Sequence, residues 1–182
     1  MSAFPKPYAD RVARLRVATG FVLVAAFAWF SQPSRSSLIG GLPVSLLGLI
    51  LRAWATGHLE KNIRLAESGP YAYVRNPLYL GTALVAAGLV IASRRWLLAV
   101  LFAAVFLLIY LPVIELEEQH LRQLFPRFEV YSERVPALWP TRRVSKSEAR
   151  FQWALYVHNR EYQALLGWFA GMALLLAKVL VP

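Results

Sequence analysis

The sequence predicts an all-α integral-membrane protein, a polytopic bundle of about five transmembrane helices, and two observations support this. First, 58% of the 182 residues are hydrophobic, which is too many for an ordinary soluble domain of this size. Second, the apolar residues gather in long runs, and most charged residues fall between those runs. With no internal repeat or second apolar core, residues 1–182 form a single predicted domain.

Five apolar runs define the predicted spans. The run at 96–114 carries no charge and would form a helix about 28 Å long. The runs at 38–57 and 162–181 contain only Arg52 and Lys178, respectively, and the run at 12–30 ends before Pro33. The run at 78–92 reaches only about 22 Å, so its helix must begin inside the stretch at 69–81 or thin the bilayer.

Basic residues predict the orientation of these spans. Of 20 Lys and Arg residues, a cytoplasmic N-terminus puts 15 on the inner side and four on the outer side, with Arg52 inside a span. Because inner loops of membrane proteins are rich in Lys and Arg, this imbalance predicts that the loop at 58–77 and the segment at 115–161 face the cytoplasm. We expect the membrane to be the bacterial inner membrane, with the endoplasmic reticulum as the alternative.

Composition disfavours several other classes of function. The chain has no cysteine, and the three histidines, at 58, 120 and 158, lack the spacing of metal ligands, so no metal site is predicted. The net charge of +10 is explained more simply by contact with anionic lipid headgroups than by nucleic acid, because the basic residues flank apolar runs.

The stretch at 69–81, GPYAYVRNPLYLG, is the first candidate for chemistry. Pro77 suits the first turn of a helix, where its missing N–H costs nothing. The N–H groups at such a helix start, with Arg75 beside them, form a ready site for an anionic group. The simpler interpretation of Arg75 is an anchor at the inner membrane surface.

Two further groups of charges lie on the predicted inner side. Glu115 and Glu118 share one helix face and Glu117 points about 100° away, so three carboxylates within four residues call for a compensating cation. Arg52 lies inside a predicted span and could either act in catalysis or extend to the headgroups. Solvated glutamates and an Arg122–Glu118 pair within one helix are the corresponding simpler interpretations.

The order of these pieces resembles the integral-membrane methyltransferases of the isoprenylcysteine carboxyl methyltransferase and phospholipid methyltransferase superfamily. The resemblance covers about residues 52–140: the stretch at 69–81, two spans, the paired glutamates, and a continuation in the same order. That continuation consists of Leu121, Phe125, Phe128, Tyr131, Val135, Pro136 and Pro140. The chain departs from the pattern at Asn76, where many relatives have His, and at Pro126, where Gly is common.

The resemblance implies S-adenosyl-L-methionine as methyl donor, S-adenosyl-L-homocysteine as product, and a lipophilic acceptor that enters from the bilayer. It implies catalytic roles for Arg75, Glu118 and Arg52. The implied cofactor-binding residues are His58, Lys61, Gly69, Pro70, Tyr71, Tyr73, Val74, Arg75, Asn76, Pro77, Tyr79, Gly81, Glu117 and Glu118. The acceptor is left open between a prenylcysteine-like carboxylate, which needs no base, and a phospholipid amine, for which Glu118 or His58 would take the proton.

Two other functions and two structural expectations remain. The rival functions are an NADPH-dependent membrane reductase and a non-catalytic membrane subunit. The capping pattern at 145–148, followed by apolar residues at helical spacing, predicts a helix on the membrane surface before the last span, so that about 147–181 forms a C-terminal addition to the matched core. Gly167 and Gly171 match a helix-contact pattern that could serve a homodimer or packing within the monomer.

Overall fold

The computed structural model describes residues 6–142 and 149–180 of the chain. Within these ranges the protein is helical and contains no strand, which confirms the predicted all-α class. The helices are α1 (Lys6–Phe30), α2 (Arg35–Thr56), α3 (Pro77–Ser93), α4 (Trp96–Val105), α5 (Leu111–Leu124), α6 (Phe128–Arg134), α7 (Trp153–His158) and α8 (Tyr162–Leu180), with a 3-10 turn at Gly69–Ala72 and a π-helical segment at Phe106–Tyr110.

Three of the helical stretches are long and apolar enough to cross a membrane. They are Arg35–Thr56, Trp96–Leu124 and Tyr162–Leu180, with 22, 29 and 19 residues. Two shorter apolar helices, Ala18–Phe30 and Pro77–Ser93, coincide with the other two predicted spans. Helix α3 begins at Pro77, inside the stretch at 69–81, as its short apolar run required. The described residues therefore form a helical membrane bundle.

Helices α4 and α5 and the π segment between them form one continuous helix, and a proline explains the irregular turn. Pro112 has no N–H to donate to the carbonyl four residues earlier, which belongs to Leu108. The Tyr8 hydroxyl on α1 donates to that Leu108 oxygen instead, at 2.8 Å. Helix α1 thus supplies the hydrogen bond that Pro112 removes, and its N-terminal half is tied to the middle of the α4–α5 helix.

Pairs of glycines let α2 and α3 pack with their backbones close together. A Cβ atom on Gly48 would lie 2.6 Å from the carbonyl oxygen of Gly81, and one on Gly88 would lie 2.6 Å from that of Gly41. The sequence analysis singled out Gly167 and Gly171 instead. A Cβ on Gly167 would meet nothing within 4 Å, whereas Gly171 faces Leu89 and Phe27 at 3.9 and 4.0 Å.

The C-terminal part of the chain packs on the C-terminal end of α2. The Gln152 N–H donates to the Gly57 oxygen at 2.9 Å, and Asn159 Nδ2 donates to the oxygens of Thr56 and Leu59 at 3.1 and 3.0 Å. The predicted surface helix is the six-residue α7, separated from α8 by a turn at Arg160, whose φ is +54°. The predicted capping pattern at 145–148 lies outside the described residues.

Candidate active site

Backbone hydrogen bonds join the two halves of the sequence pattern. The N–H groups of Arg75 and Asn76 donate to the oxygens of Pro136 and Ala137 at 2.9 and 3.1 Å, and the Thr141 N–H donates to the Tyr73 oxygen at 3.0 Å. The stretch before α3 therefore runs beside the segment that follows α6. This pairing fixes Arg75 next to the C-terminal end of α6.

Arg75 and Glu118 form a two-armed ion pair. Arg75 Nε and Nη2 each lie 3.0 Å from a different oxygen of Glu118, and Arg75 Nη1 donates to the oxygens of Ser132 and Val135. Asn76 Nδ2 adds a third bond to Glu118, at 2.8 Å from Oε1. Both side chains are largely buried, at 14% and 13% exposure, and their charges neutralise each other. The pair joins the stretch before α3 to α5, and the bonds to Ser132 and Val135 join it to the end of α6.

Glu117 has a different environment from its neighbour. It is exposed, and its Oε1 accepts a hydrogen bond of 2.9 Å from the Tyr79 hydroxyl on α3. Among the side chains that the structure describes, no Lys or Arg nitrogen lies within 4.0 Å of its carboxylate. Of the paired glutamates, Glu117 is therefore the one whose charge is available to a ligand, whereas the sequence had favoured Glu118.

Arg52 is paired with an acid that the sequence analysis did not identify. Its Nε and Nη2 lie 2.6 and 3.0 Å from the two oxygens of Glu161, and its Nη1 donates to the Thr82 hydroxyl. A Cβ on Gly81 would lie 2.5 Å from Arg52 Cγ, so this glycine leaves room for the arginine stem. The only sequence signal for Glu161 was a single acid just before the last apolar run.

Several residues that the resemblance assigns to cofactor binding are buried and pack against neighbouring backbone and side chains. His58 is buried, its Nδ1 lies 2.9 Å from the Trp54 oxygen, and a Cβ on Gly69 would approach its ring to 2.7 Å. Gly69 has a φ of +57°, which favours glycine. Pro70, Val74, Pro77 and Gly81 are also buried, and their immediate role is packing.

Two buried tyrosines fix the turn that precedes Arg75. The Tyr131 hydroxyl donates to the Tyr71 oxygen at 2.8 Å. Burial raises the pKa of both phenols well above the ordinary value, and the negative charges of Glu117 and Glu161 raise the pKa of Tyr71 further. Both hydroxyls therefore remain protonated at neutral pH, so Tyr131 can act as a permanent donor.

The remaining predicted residues lie at the edge of this arrangement. Tyr73 is half-buried, with its ring 6.2 Å from that of Trp54. Lys61 is exposed in the loop after α2, and within the described residues no ion pair or side-chain hydrogen bond joins it to the site. The structure thus brings Arg75, Asn76, Tyr79, Glu117 and Glu118 together and leaves Lys61 outside that group.

A half-open cavity of about 380 Å³ lies beside His58. Its wall combines apolar side chains with three charged ones, and Arg127 Nη2 lies 3.9 Å from Glu67 Oε2 there. Pro126, one of the departures from the family pattern, is part of the wall. The other lining residues are Ile63, Arg64, Leu65, Ala66, Ser68 and Phe125.

A family model and two relatives match this chain. The model of the phospholipid methyltransferase family matches residues 15–127, which include Arg52, Arg75, Glu117 and Glu118 but not Glu161. The chain is 30% identical over 179 residues to the nickel-cobalt-cadmium resistance protein NccN of Alcaligenes xylosoxydans xylosoxydans, covering 93% of this chain and 82% of that protein.

The chain is also similar to a second metal-resistance protein. The chain is 33% identical over 140 residues to the cobalt-zinc-cadmium resistance protein CzcN of Cupriavidus metallidurans, covering 74% of this chain and 62% of that protein. No solved structure matches. In the described residues no group of three or more His, Cys, Asp or Glu side chains could hold a metal ion. Because the family model spans more than half of the sequence, the chain belongs to the phospholipid methyltransferase family.

Proposed function

We propose that this protein transfers a methyl group from S-adenosyl-L-methionine to a lipophilic acceptor in the membrane. Family membership supports the reaction class, and the exposed Glu117 carboxylate on a membrane helix is the observation that supports this location. The proposed orientation has the site and the N-terminus in the cytoplasm, where the soluble donor is available. The bacterial inner membrane is the proposed location.

The charges of the site fit the donor. Arg75 neutralises Glu118 and Arg52 neutralises Glu161, whereas the exposed Glu117 carboxylate pairs with no Lys or Arg side chain that the structure describes. The donor carries a sulfonium, an ammonium and a carboxylate, so its net charge is positive. Glu117 would hold its cationic part, and the start of α3, which has no side-chain cap in the described structure, would hold its carboxylate.

In the proposed mechanism, the residues of the site bind and position the two reactants. The bound donor supplies an electrophilic methyl group. Glu117 and Tyr79 would orient the reactants, and the Arg75–Glu118 pair would hold α3 and α5 at the separation that in-line transfer requires. The bilayer and the C-terminal segment that packs there would exclude water from the C-terminal end of α2.

The proton of an amine acceptor would go to Glu117. Glu118 already accepts three hydrogen bonds, and His58 is buried with Nδ1 bonded to a backbone oxygen, so neither is well placed for the transfer. A carboxylate acceptor would need no base, but Glu117 would repel it. The geometry therefore favours an acceptor whose reacting group is an amine, or another group without negative charge, over a prenylcysteine-like carboxylate.

The test is calorimetric binding of S-adenosyl-L-methionine and S-adenosyl-L-homocysteine to the full chain in nanodiscs, with NADPH as comparison. We expect saturable binding of the first two ligands. Glu117→Gln should weaken it about tenfold or more, as the loss of one charge-assisted contact requires. The matched control is Glu129→Gln, at an exposed glutamate that pairs with Arg122. Binding of NADPH would favour a reductase, and binding of no ligand would favour a non-catalytic subunit.

A role in metal resistance is a second candidate function, favoured by the names of both relatives. It is tested by growth on nickel, cobalt, zinc or cadmium of a strain that lacks the gene. Rescue by the wild-type chain but not by Glu117→Gln would connect resistance to the proposed site. Equal rescue by both would separate the two functions.

A further inference from the structure

Four basic side chains lie at the end of the bundle opposite the candidate site. Helix α3 begins beside the site and ends at Ser93, and its 17 residues separate the two ends by about 25 Å. The α1–α2 and α3–α4 connections lie at this far end, and α8 ends there. The cation cluster consists of the four basic residues predicted on the outer side, Arg35, Arg94, Arg95 and Lys178.

Hydrogen bonds hold two of these cations beside each other. Arg95 Nε donates to the Phe30 oxygen at 3.1 Å. Lys178 Nζ donates to the oxygen of the next residue, Ser31, at 3.1 Å, and lies 3.4 Å from the Trp29 oxygen. A guanidinium or an ammonium carries more N–H groups than these bonds use. Both cations are therefore positioned at the end of α1 with donors left for a ligand.

The other two cations belong to the two connections, which are in contact. The Gln32 N–H donates to the Ser93 oxygen at 2.9 Å. Arg35 is the first residue of α2, and Arg94 follows Ser93 directly at the end of α3. Both side chains are exposed. A group bound at this end would thus meet cations from both connections and from α8.

In the described structure no acidic side chain pairs with the cation cluster. The sequence accounts for this, because residues 11–59, 68–114 and 162–182 contain no Asp or Glu. Helix dipoles supply little compensation. Three helices end here and two begin here, and their terminal charges sum to about half a negative charge. Most of the positive charge therefore has no counter-charge among the described side chains.

Two tryptophans indicate the depth of the cluster in the membrane. Trp29 and Trp96 are exposed at 82% and 77%, and Trp96 follows Arg95 directly in the chain. Exposed tryptophan at the end of a membrane helix is typical of the headgroup region. Ile91, about one turn before Arg95, is an exposed apolar side chain of the kind that faces lipid chains. The anions available at this depth are those of lipid headgroups.

We propose that the cation cluster binds the headgroup of an anionic phospholipid, a phosphodiester without an amine. Arginine and lysine donate strong charge-assisted hydrogen bonds to phosphate oxygens. A zwitterionic headgroup has the same phosphate, but the remaining cations would repel its ammonium. One bound headgroup joins the α1–α2 and α3–α4 connections to the end of α8, so it stabilises the packing of the last helix. This binding does not depend on methyl transfer at the other end of the bundle.

The test is native mass spectrometry of the full chain in detergent, titrated with phosphatidylglycerol, with phosphatidylcholine as the zwitterionic comparison. We expect one phosphatidylglycerol molecule to be retained more tightly than any phosphatidylcholine and to raise the melting temperature. Equal retention of the two lipids would overturn the proposal. Inorganic phosphate is the soluble comparison, and an equal rise in melting temperature with millimolar phosphate would assign the cluster to a free anion instead of a lipid.

Substitutions of exposed arginines separate a specific site from net charge. Arg35→Gln and Arg94→Gln should each weaken retention of phosphatidylglycerol about fivefold, as the loss of one cation near a membrane surface requires. The matched control is Arg134→Gln, which removes an exposed charge in the last turn of α6, at the other end of the bundle. It should leave retention unchanged. Equal weakening by all three substitutions would show that net charge attracts the lipid, and would overturn the site.

Lys178 tests whether α8 takes part in the site. Lys178→Gln should weaken retention about fivefold or more, whereas Lys178→Arg keeps the charge and should retain the lipid. Phosphatidylglycerol should also raise the melting temperature of Lys178→Gln less than that of the wild-type chain. Retention by Lys178→Gln equal to that of the wild type would remove α8 from the cluster and overturn the bridging of the three segments.

Discussion

Arg52 of α2 and Glu161, the residue before α8, are 109 positions apart in the sequence and form a two-armed ion pair. The two N–O distances are 2.6 and 3.0 Å, and the side chains are 22% and 8% exposed. The pair joins the family-matched part of the chain to the segment beyond it. The last helix is therefore tied to the bundle by a specific charge contact in addition to apolar packing.

Glu161→Gln should destabilise the protein, because it leaves the Arg52 guanidinium without its counter-charge in a largely buried position. We expect the free energy of unfolding in detergent to fall by about 3 kcal/mol, measured by thermal and denaturant unfolding. The control is Glu60→Gln, which breaks an exposed pair with Arg64 and should cost at most about 0.5 kcal/mol. Equal effects of both substitutions would contradict a structural role for the Arg52–Glu161 pair.

Glu117→Gln and Glu118→Gln should have different effects despite their adjacency. Glu118→Gln breaks the ion pair with Arg75 and should lower both the melting temperature and the affinity for S-adenosyl-L-methionine. Glu117→Gln removes only an exposed charge, so it should lower that affinity with little change in melting temperature. Calorimetry and thermal unfolding of the same preparations measure both effects. A stable Glu118→Gln variant with unchanged affinity would remove Glu118 from the site.

Gly48→Ala should disrupt the contact between α2 and α3, because its Cβ would lie 2.6 Å from the backbone oxygen of Gly81. Overpacking of this kind costs about 1–3 kcal/mol or more. Gly167→Ala adds a methyl group where nothing lies within 4 Å, and alanine favours helix by up to about 1 kcal/mol. Thermal unfolding should therefore show opposite signs for the two variants, and a neutral Gly48→Ala would contradict the close approach of these helices.

Stability should fall with rising pH above about pH 10, where ordinary tyrosines ionise. The pKa values of Tyr71 and Tyr131 are raised in the folded protein by burial, so the unfolded chain loses these protons first and alkaline pH favours unfolding. Each group contributes up to about 1.4 kcal/mol per pH unit. Tyr131→Phe should reduce this slope and lower the neutral-pH stability by about 1 kcal/mol.

Tyrosine absorbance gives an independent check of this prediction. If both phenols are protected, two of the eight tyrosines should titrate only as the protein unfolds. Titration of all eight in a single step, while the helical content remains native, would contradict the burial of Tyr71 and Tyr131.

The sequence was sufficient to predict the five apolar helical stretches, because each contains an apolar run bounded by polar residues or proline, whereas the charged helix α6 was not predicted. The runs that begin at Trp96 and Tyr162 start at the same residues as α4 and α8. The meeting of the stretch at 69–81 with the paired glutamates also followed from the family pattern, and Arg75 and Glu118 are in contact.

The partners of individual side chains were not predictable from local patterns. Glu118 was expected to bind a ligand, but tertiary packing pairs it with Arg75, and the acid that pairs with Arg52 lies outside the matched region. Pro112 cannot donate a hydrogen bond to the Leu108 oxygen, and nothing local indicated that Tyr8 would supply the donor. Such contacts depend on how helices distant in sequence pack against each other.

The Arg52–Glu161 pair also sets an order of events during biosynthesis. Ribosomes make α2 and α3 long before residue 161, so the nascent chain enters the bilayer with a guanidinium whose partner has not been translated. The helices made before Glu161 must then satisfy Arg52 by other means, such as the Thr82 hydroxyl and lipid phosphate. The carboxylate that pairs with Arg52 is present only after Glu161 has been translated. A chain truncated before Glu161 would therefore present an unpaired Arg52 to quality-control proteases.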